Sequence, residues 1–212
     1  DSLFITDLQE KFQTVGIEVK NSNLGQLPET TWFHYPSDYL GDIVHSLNVR
    51  SDNLYAESVL RLLSLSDHEK GSAEKGIDII RKYWQNYEAD SLELFMYDGS
   101  GLARNNKVSA KYLNCVLKET ARDSLIGEYF VQTLPLAGKE GSVATFMKHG
   151  ELPGELRLKS GSMSDVHAYA GYYTTPQNRY AIVVMINNYT CTRAQLKQKI
   201  STLLTQVLSK KE

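Results

Sequence analysis

The sequence is poor in cysteine and has no long apolar run. Its 212 residues include only 2 cysteines, Cys115 and Cys191, whose spacing matches neither a metal motif nor a C-x-x-C redox pair. This excludes a disulfide framework, although a single bridge between the two stays open. The longest apolar run, from Ala181 to Ile186, is far shorter than the ~20 residues of a membrane-spanning helix. A disulfide-stapled miniprotein and a transmembrane protein are therefore not expected.

An excess of charge of one sign is also missing. The 23 Lys and Arg residues nearly balance the 25 Asp and Glu residues, so the formal net charge is -2. Proteins that bind nucleic acid usually carry a basic patch, so no nucleic-acid partner is expected. The 5 histidines are scattered without H-E-x-x-H or another ligand spacing. Neither a metal nor a cofactor is therefore expected.

Helical patterns fill most of the first 150 residues, and the region from about 36 to 153 is predicted to be mainly helical. A first helix is predicted from Asp7 to Val15. The next is predicted after a Ser37 cap, on an apolar stripe made of Leu40, Ile43, Val44 and Leu47. Another is predicted from about Leu54 to Leu63, and caps at Ser72 and Ser109 predict two more.

Residues 154–212 have a different pattern. Three strand-like runs separated by turns predict consecutive antiparallel strands, at Glu155 to Ser160, Val166 to Thr174 and Tyr180 to Tyr189. Apolar residues at helical spacing then predict an amphipathic helix from Arg193 to Leu208. A helix of this kind can cover a sheet. The expected fold class is therefore α/β (α+β), with helices packed on an antiparallel sheet and a helical region beside it.

Two short motifs carry the chemical signal. Ser51-Asp52-Asn53 lies between two predicted helices and, taken alone, is explained as a helix cap. Lys159-Ser160-Gly161 ends a strand-like run and offers a cation, a hydroxyl and a close approach to the backbone. In this order, the two motifs match the second and third signatures of the serine penicillin-recognising enzymes, which are S-x-x-K, S-D-N and K-T-G.

The match extends beyond these triplets. It also includes the stretches from Ser51 to Glu57, Asp98 to Leu102, Leu134 to Gly138 and Lys159 to Met163. Together they resemble the D-alanyl-D-alanine carboxypeptidase/endopeptidase branch, the class C low-molecular-mass penicillin-binding proteins. The resemblance runs from Ser37 to the C-terminus. It implies the serine β-lactamase/penicillin-binding-protein transpeptidase-like fold, with residues 1–212 forming the C-terminal part of a peptidase domain.

The sequence departs from the family pattern in two places. The third motif has Ser160 where the family usually has Thr, which keeps the hydroxyl but loses a methyl group that restricts χ1. The first motif is missing, because no S-x-x-K precedes Ser51. The string from Ser72 to Lys75 follows Ser51 and is predicted to be only a helix cap. We therefore expect the nucleophile in an upstream segment and expect this chain to be inactive alone.

The resemblance assigns roles to individual residues. Three are implied to be catalytic, with proton relay, substrate positioning and positive potential as their roles: Ser51, Asn53 and Lys159. Four others are implied to bind the substrate. Ser160 offers a hydroxyl, and Gly161 lets the ligand approach the backbone closely. Ser162 supplies a backbone N–H to the oxyanion hole, and Met163 lines the pocket for the stem-peptide side chain.

The implied substrate is a peptidoglycan stem peptide that ends in D-Ala-D-Ala. The implied chemistry is serine-type hydrolysis through an acyl-enzyme, and β-lactams are expected to acylate the same serine. The implied location is periplasmic or extracytoplasmic. The implied partner is the N-terminal part of the same protein, and a homo-oligomer is a second way to cover the exposed sheet edge and apolar face. Two alternatives stay open: a β-lactamase-like hydrolase and a non-catalytic module that binds cell-wall peptides.

Overall fold

The computed structural model describes residues 2–18, 36–66, 70–87, 93–148 and 152–210. The chain divides into two compact units, Asp1–Ser37 and Asp38–Glu212. The first unit contains helix α1 (Ser2–Thr14), which is followed by Gly16 at a φ of +77°. Glycine adopts this left-handed conformation at little cost and so ends the helix. The first predicted helix is confirmed, although it begins five residues earlier than expected.

The second unit begins with three helices: α2 (Leu40–Arg50), α3 (Asn53–Leu62) and α4 (Ala73–Trp84). The predicted Ser37 cap is wrong. Leu40, the first residue of the apolar stripe, is itself the first helical residue, and Tyr39 takes the N-cap position without a side-chain bond. The Ser72 cap is confirmed, because its hydroxyl accepts a hydrogen bond from the Lys75 backbone N–H at 3.2 Å. The local S-x-x-K string is thus part of a helix cap.

Short elements connect the helices to the main sheet. Strands β1 (Leu94–Phe95) and β2 (Lys107–Val108) form an antiparallel pair. They lead into α5 (Ala110–Arg122), which begins after the predicted Ser109 cap. Helix α6 (Gly127–Thr133) and a 3₁₀ helix (Gly141–Val143) follow.

The main sheet contains three antiparallel strands in the order β3-β4-β5. Their bounds are β3 (Glu155–Met163), β4 (Val166–Thr174) and β5 (Arg179–Asn187). All three predicted strands are confirmed, and β3 extends three residues beyond the predicted Ser160. Because Met163 pairs with Val166, β3 and β4 are joined by a two-residue turn. This extension matters because it places Gly161, Ser162 and Met163 within a strand.

Helix α7 (Arg193–Leu208) has the predicted bounds and begins with a capping box between Thr192 and Gln195. Its apolar side packs on one face of the sheet, in a core that contains Leu158, Tyr169, Leu196, Ile200 and Leu204. The predicted cover of the sheet by this helix is confirmed. Among the described residues, no helix is long and apolar enough to cross a membrane.

The opposite face of the sheet packs against α5 and α6. Its buried cluster contains Leu117, Val131, Leu134 and Tyr172. The Tyr172 hydroxyl donates a hydrogen bond to the Leu117 carbonyl at 2.7 Å, which fixes α5 on β4. The sheet is therefore the middle layer between α7 and the α5–α6 pair, and β3 lies at one edge of it.

The two cysteines are not bridged. Cys115 lies in α5, on one side of the sheet, whereas Cys191 packs against the core on the α7 side. Both side chains are half-buried, and neither forms a disulfide. The open question of a Cys115–Cys191 disulfide is thus answered by their positions on opposite sides of the sheet.

Candidate functional site

Ser51 lies in a tight turn between two helices. It ends α2 with φ 55° and ψ 50°, the left-handed region that costs a non-glycine residue roughly 1–2 kcal/mol. The neighbouring Asp52 caps α3 by accepting a hydrogen bond from the Tyr55 N–H at 3.1 Å. The capping explanation therefore holds for Asp52, whereas the Ser51 side chain stays exposed. Asn53 is the first residue of α3, and it is also exposed.

The position of α2 is fixed by a buried polar contact. Asn48, in the last turn of α2, is only 7% exposed. Its side-chain amide donates a hydrogen bond to the Thr133 hydroxyl at the end of α6, at 3.0 Å. A buried amide of this kind is costly to leave unpaired, so the contact strongly favours one arrangement of the two helices. Ser51 is therefore carried by a helix end that is fixed on the rest of the second unit.

The two motifs meet at this turn. The Lys159 ammonium donates a hydrogen bond to the Ser51 hydroxyl at 2.7 Å, across 108 positions of sequence. The same ammonium also donates to the Ser160 carbonyl at 2.9 Å. Burial lowers the pKa of Lys159 below its usual value, because the charged form is less well solvated inside the protein. The structure thus brings together a serine hydroxyl and a partly desolvated cation.

Ser160 has a hydroxyl partner that the sequence analysis missed. Its Oγ lies 2.7 Å from the Oγ of Ser142, in the 3₁₀ helix. The motif at residues 134–138 ends before this short helix, so the motifs that carry the resemblance do not include Ser142. A serine in a three-residue helix has no periodic pattern, and only the folded structure shows that it reaches the Lys159-Ser160-Gly161 motif.

The edge of β3 is only partly covered. The Leu158 N–H donates to the Pro135 carbonyl at 3.0 Å, and the Ala137 N–H donates to the Leu156 carbonyl at 2.8 Å. Backbone groups alternate in direction along a strand, so those of Ser160 and Ser162 point to the same outer side as Leu158. No described strand pairs with the edge at this point. An extended peptide can therefore form backbone hydrogen bonds here.

The rest of the third motif continues along this edge. Gly161 and Ser162 are exposed, and Met163 is half-buried at the end of β3. By the alternation of a strand, Gly161 and Met163 lie on the same face as Lys159. The predicted site residues on β3 therefore occupy five consecutive positions, with hydrogen bonds from Lys159 to Ser51 and from Ser160 to Ser142.

Glu57 ties the start of α3 to the loop after β1. One oxygen of its carboxylate accepts hydrogen bonds from the N–H groups of Gly99 and Ser100, at 2.9 and 3.0 Å. Its other oxygen pairs with Arg61 at 3.0 Å. Burial opposes ionisation, but the hydrogen bonds from Ser100, Arg61 and Gly99 outweigh it and lower the pKa of Glu57. Glu57 is one helical turn after Asn53, so this contact braces the same end of α3.

The loop that Glu57 holds is shaped by Asp98. Its carboxylate accepts hydrogen bonds from the N–H groups of Gly101 at 2.8 Å and Ala103 at 2.6 Å, and from the Asn106 amide at 2.8 Å. Gly99 approaches α3 closely, because a Cβ placed there would lie 2.6 Å from the Ala56 carbonyl oxygen. The resemblance between residues 98–102 and the family motif thus corresponds to a tight turn packed on α3.

The described residues contain no cluster of three or more His, Cys, Asp or Glu side chains that could hold a metal ion. Among the described residues, the site offers hydroxyl groups, the Lys159 cation and backbone N–H groups that point outward from the edge of β3. Such groups suit the binding of a peptide with a terminal carboxylate, because a cation and a hydroxyl can both donate to it.

Relatives with similar sequences come from several bacteria. The chain is 26% identical over 206 residues to the D-alanyl-D-alanine carboxypeptidase DacB of Haemophilus influenzae, covering 93% of this chain and 42% of that protein. It is 25% identical over 193 residues to a D-alanyl-D-alanine carboxypeptidase of an Actinomadura species, covering 85% of this chain and 36% of that protein. The chain thus spans less than half the length of these curated relatives.

Solved structures share the fold. Penicillin binding protein 4 (dacB) from Haemophilus influenzae has a TM-score of 0.76 at 24% identity, covering 95% of this chain and 47% of that chain. The Bd0816 predatory endopeptidase from Bdellovibrio bacteriovorus has a TM-score of 0.65 at 15% identity, covering 99% of this chain and 57% of that chain. The penicillin-binding-protein transpeptidase-like fold, a mixture of helices and antiparallel sheet, is confirmed.

The family assignment rests on almost the whole chain. Residues 1–210 match the family described as D-Ala-D-Ala carboxypeptidase 3 (S13). This confirms the resemblance that the motifs at Ser51 and Lys159 indicate. The chain belongs to the D-Ala-D-Ala carboxypeptidase 3 family.

Proposed function

We propose that this chain supplies the substrate-binding half of a serine-type D-Ala-D-Ala carboxypeptidase/endopeptidase that acts on peptidoglycan stem peptides. The observation that carries the proposal is the 2.7 Å hydrogen bond from Lys159 to Ser51, which joins the second and third motifs of the family. The nucleophilic serine and its lysine belong to an S-x-x-K segment encoded upstream. Without that segment the chain is inactive.

The proposed reaction has two steps. The hydroxyl of the upstream serine attacks the carbonyl carbon between the two D-Ala residues, and an ester forms while the C–N bond breaks. The hydroxyl proton passes through Ser51 to the departing amine of the terminal D-Ala. Water then hydrolyses the ester and releases the shortened peptide. Ser51 suits the relay because a hydroxyl can accept one proton while it donates its own.

Lys159 and Ser160 are proposed to recognise the free C-terminus. The Lys159 ammonium lies at the uncovered edge of β3, where it already contacts the Ser160 carbonyl. A substrate carboxylate near Lys159 favours its charged form and so offsets the burial that lowers the pKa of this side chain. Ser160 adds a hydroxyl donor, and a hydrogen bond to a carboxylate is stronger than one between neutral groups. Substrates that end in an amide keep an acceptor oxygen but lose the charge that strengthens both interactions.

The outer edge of β3 is proposed to orient the rest of the peptide. The Ser162 N–H supplies one donor of the oxyanion hole, for which removal of a single donor typically costs ~10²–10³ in rate. The side chain of Asn53 hydrogen-bonds the substrate amide, and Gly161 leaves room for the peptide. Met163 lines the pocket for the stem-peptide side chain.

The cellular setting follows from this substrate. The D-Ala-D-Ala peptides belong to the cell wall, so we place the enzyme outside the cytoplasmic membrane or in the periplasm. β-Lactams acylate the same upstream serine. The upstream polypeptide, or a second copy of the chain, covers the parts of the sheet that the described residues leave open.

Labelled penicillin tests the proposal directly. Two proteins are compared by intact mass: the 212-residue chain, and an extended chain that adds the upstream coding region. A matched control is the extended chain with the S-x-x-K serine changed to Ala. One adduct on the extended chain, and none on the control or on the short chain, is the expected result.

The other outcomes are equally informative. An adduct on the short chain contradicts the proposed inactivity. No adduct on either chain overturns the peptidase proposal in favour of a non-catalytic module that binds cell-wall peptides. Turnover of a chromogenic cephalosporin by the extended chain, with rapid loss of the adduct, identifies a β-lactamase-like hydrolase instead.

A further inference from the structure

We infer that Ser142 is a positioning residue that sets the direction of the Ser160 hydroxyl and thereby the preference for a free C-terminal carboxylate. The inference rests on the proposed function, in which Ser160 binds that carboxylate. The observation is the 2.7 Å separation of the two Oγ atoms. Ser142 acts through Ser160, because its hydroxyl contacts the hydroxyl of the motif.

The structure holds Ser142 firmly in place. Its neighbour Val143 is completely buried in the core on the α7 side of the sheet. The Gly138 N–H donates to the Val143 carbonyl at 3.0 Å, which closes the turn. On the other side, Gly141 has a φ of +52°, and a Cβ placed there would lie 2.3 Å from the Val49 carbonyl oxygen. The 3₁₀ helix is therefore fixed between the end of α2 and β3.

The two hydroxyls form an ordered pair once a carboxylate binds. Each serine hydroxyl has a single proton to donate. If Ser160 gives its proton to Ser142, it has none for the substrate. If Ser142 donates to Ser160, the proton of Ser160 is available to the carboxylate, and the chain from Ser142 through Ser160 to the carboxylate is polarised cooperatively. Carboxylate binding selects this second arrangement.

The contact also explains how the sequence tolerates serine in the third motif. The family usually has threonine, whose γ-methyl group restricts χ1. Ser160 lacks this methyl group, so its hydroxyl has more rotamers. The bond to Ser142, which is held by Val143 and Gly141, restricts the same torsion from outside. A threonine at position 160 is therefore expected to make Ser142 less important.

The test uses four variants of the extended chain: Ser142→Ala, Ser160→Thr, the double variant that combines them, and Thr145→Ala. Thr145 is exposed and follows the same 3₁₀ helix, so its substitution removes a hydroxyl from the same turn as a control. For each protein, kcat and KM are measured with a peptide ending in D-Ala-D-Ala and with the same peptide as its C-terminal amide. The thermal midpoint of each variant verifies that it folds.

For Ser142→Ala, we expect kcat/KM for the acid peptide to fall about 5- to 30-fold, the factor that corresponds to one or two kcal/mol. The amide peptide changes less than about 2-fold, since the variant removes a contact that acts on the carboxylate. The Ser160→Thr change in the double variant restores most of the loss. Thr145→Ala matches the unchanged protein.

Three results separate the explanations. Unchanged kinetics for Ser142→Ala overturn the inference. An equal fall for the acid and amide peptides, without rescue by Ser160→Thr, also overturns it and shows a structural role instead. If the unchanged extended chain neither hydrolyses the peptides nor takes up penicillin, the proposed function itself has failed, and that failure is seen before any variant is compared.

Discussion

Gly161 and Ala168 face each other across strands β3 and β4, and the space above Gly161 is open toward solvent. A Cβ placed on Gly161 would meet the Ala168 side chain at 4.0 Å and no other described atom outside its chain neighbours within that distance. Gly161 has no positive φ that would require glycine. Backbone conformation and packing therefore do not require the glycine, whereas the proposed binding of a peptide against β3 would.

This relationship predicts that stability and binding respond differently at position 161. We expect Gly161→Ala to keep or slightly raise the free energy of unfolding, by up to about 1 kcal/mol, because glycine weakens a strand. Gly161→Val should also fold but should lower the rate of penicillin acylation at least ~10-fold by filling the peptide's space. Denaturant unfolding and acylation kinetics of the extended chain measure the two effects.

Gly171 provides the matched control on the adjacent strand. A Cβ placed there would lie 2.0 Å from the Arg157 carbonyl oxygen, so the backbone itself would have to move. We expect Gly171→Ala to destabilise the protein by roughly 1–3 kcal/mol, as overpacked sites do. If Gly161→Ala is destabilised as much as Gly171→Ala, the position is structural and the argument from open space is wrong.

Lys159 is expected to reduce stability while it supports binding. Burial lowers its pKa, so the folded protein disfavours the charge that the unfolded chain carries. The free energy of unfolding should therefore rise with pH between the lowered pKa and the unfolded value of about 10.4. Lys159→Met should remove this rise, leave stability near pH 7 undiminished, and slow penicillin acylation ~10- to 100-fold through loss of charged hydrogen bonds.

Unfolding measured from pH 7 to 10, together with acylation kinetics at pH 7, checks both parts for the extended chain. Lys139→Met is the control, because Lys139 is an exposed lysine in the turn before the 3₁₀ helix. It should keep the pH dependence and the acylation rate of the unchanged protein. A Lys159→Met variant with normal acylation would contradict the proposed role of the cation.

The elements with strong periodicity could be predicted from the sequence. The stripe in α7 and the strand patterns of β4 specify their bounds closely because burial of one face determines each pattern. The predicted Ser37 cap is wrong because α2 begins at Leu40 after Tyr39, which makes no side-chain cap bond. A helix that starts without a capping side chain has no capping residue in the sequence to mark its start. Cap positions at Ser72 and Ser109 are confirmed, since each directly precedes an amphipathic run.

Only the site residues that belong to the recognised motifs could be predicted from the sequence. The resemblance named Ser51 and Lys159 as site residues, whereas their hydrogen bond is seen only in the structure. The left-handed turn at Ser51 also has no signal in the composition of the linker. Ser142 and the bracing role of Glu57 were missed because each acts through a contact between distant segments. Hydrogen bonds of this kind depend on tertiary packing, which motifs and periodicity in a single sequence do not reveal.

Glu57 is predicted to stabilise the loop at Gly99 and Ser100 and, through it, the start of α3. Glu57→Ala removes the acceptor of the Gly99 and Ser100 N–H groups, and we expect a loss of roughly 1–3 kcal/mol from unsatisfied donors. The pKa of Glu57 is lowered in the folded protein, so its carboxylate adds to the free energy of unfolding. This stabilisation is fully present above the unfolded pKa of about 4.3 and disappears as the pH falls through the lowered pKa. Amide hydrogen exchange at Gly99 and Ser100 reports the loop directly.

Glu57→Gln is the matched variant, because it keeps an acceptor oxygen of similar size without a titrating group. It should lose less stability than Glu57→Ala and should show a flatter pH dependence between pH 3 and 5. Penicillin acylation should be slowed more by Ala than by Gln, since the loop braces the end of α3 that carries Asn53. Equal exchange at Gly99 in all three proteins would show that the bonds are unimportant.

His167 is predicted to make the motif strand sensitive to acid. It is only 2% exposed, and neither ring nitrogen has a hydrogen-bond partner among the described residues. Burial, together with the positive charges of Lys197 and Arg193, lowers its pKa. The unfolded chain therefore binds more protons than the folded one below about pH 6.5, so the free energy of unfolding should fall as the pH drops from 6.5 toward the lowered pKa.

The loss of stability at low pH should also affect the candidate site, because His167 pairs with Ser162 across the β3–β4 ladder. We expect His167→Phe, which fills a similar space beside Tyr169, to remove this part of the acid sensitivity and to preserve penicillin acylation down to pH 5. The exposed His45 is the control, and His45→Phe should leave the acid sensitivity in place. Thermal midpoints from pH 5 to 7.5, measured beside acylation rates of the extended chain, check both expectations. If His167→Phe loses stability with falling pH as steeply as the unchanged protein, protonation of other groups weakens the sheet, and the pairing of His167 with Ser162 does not control the site.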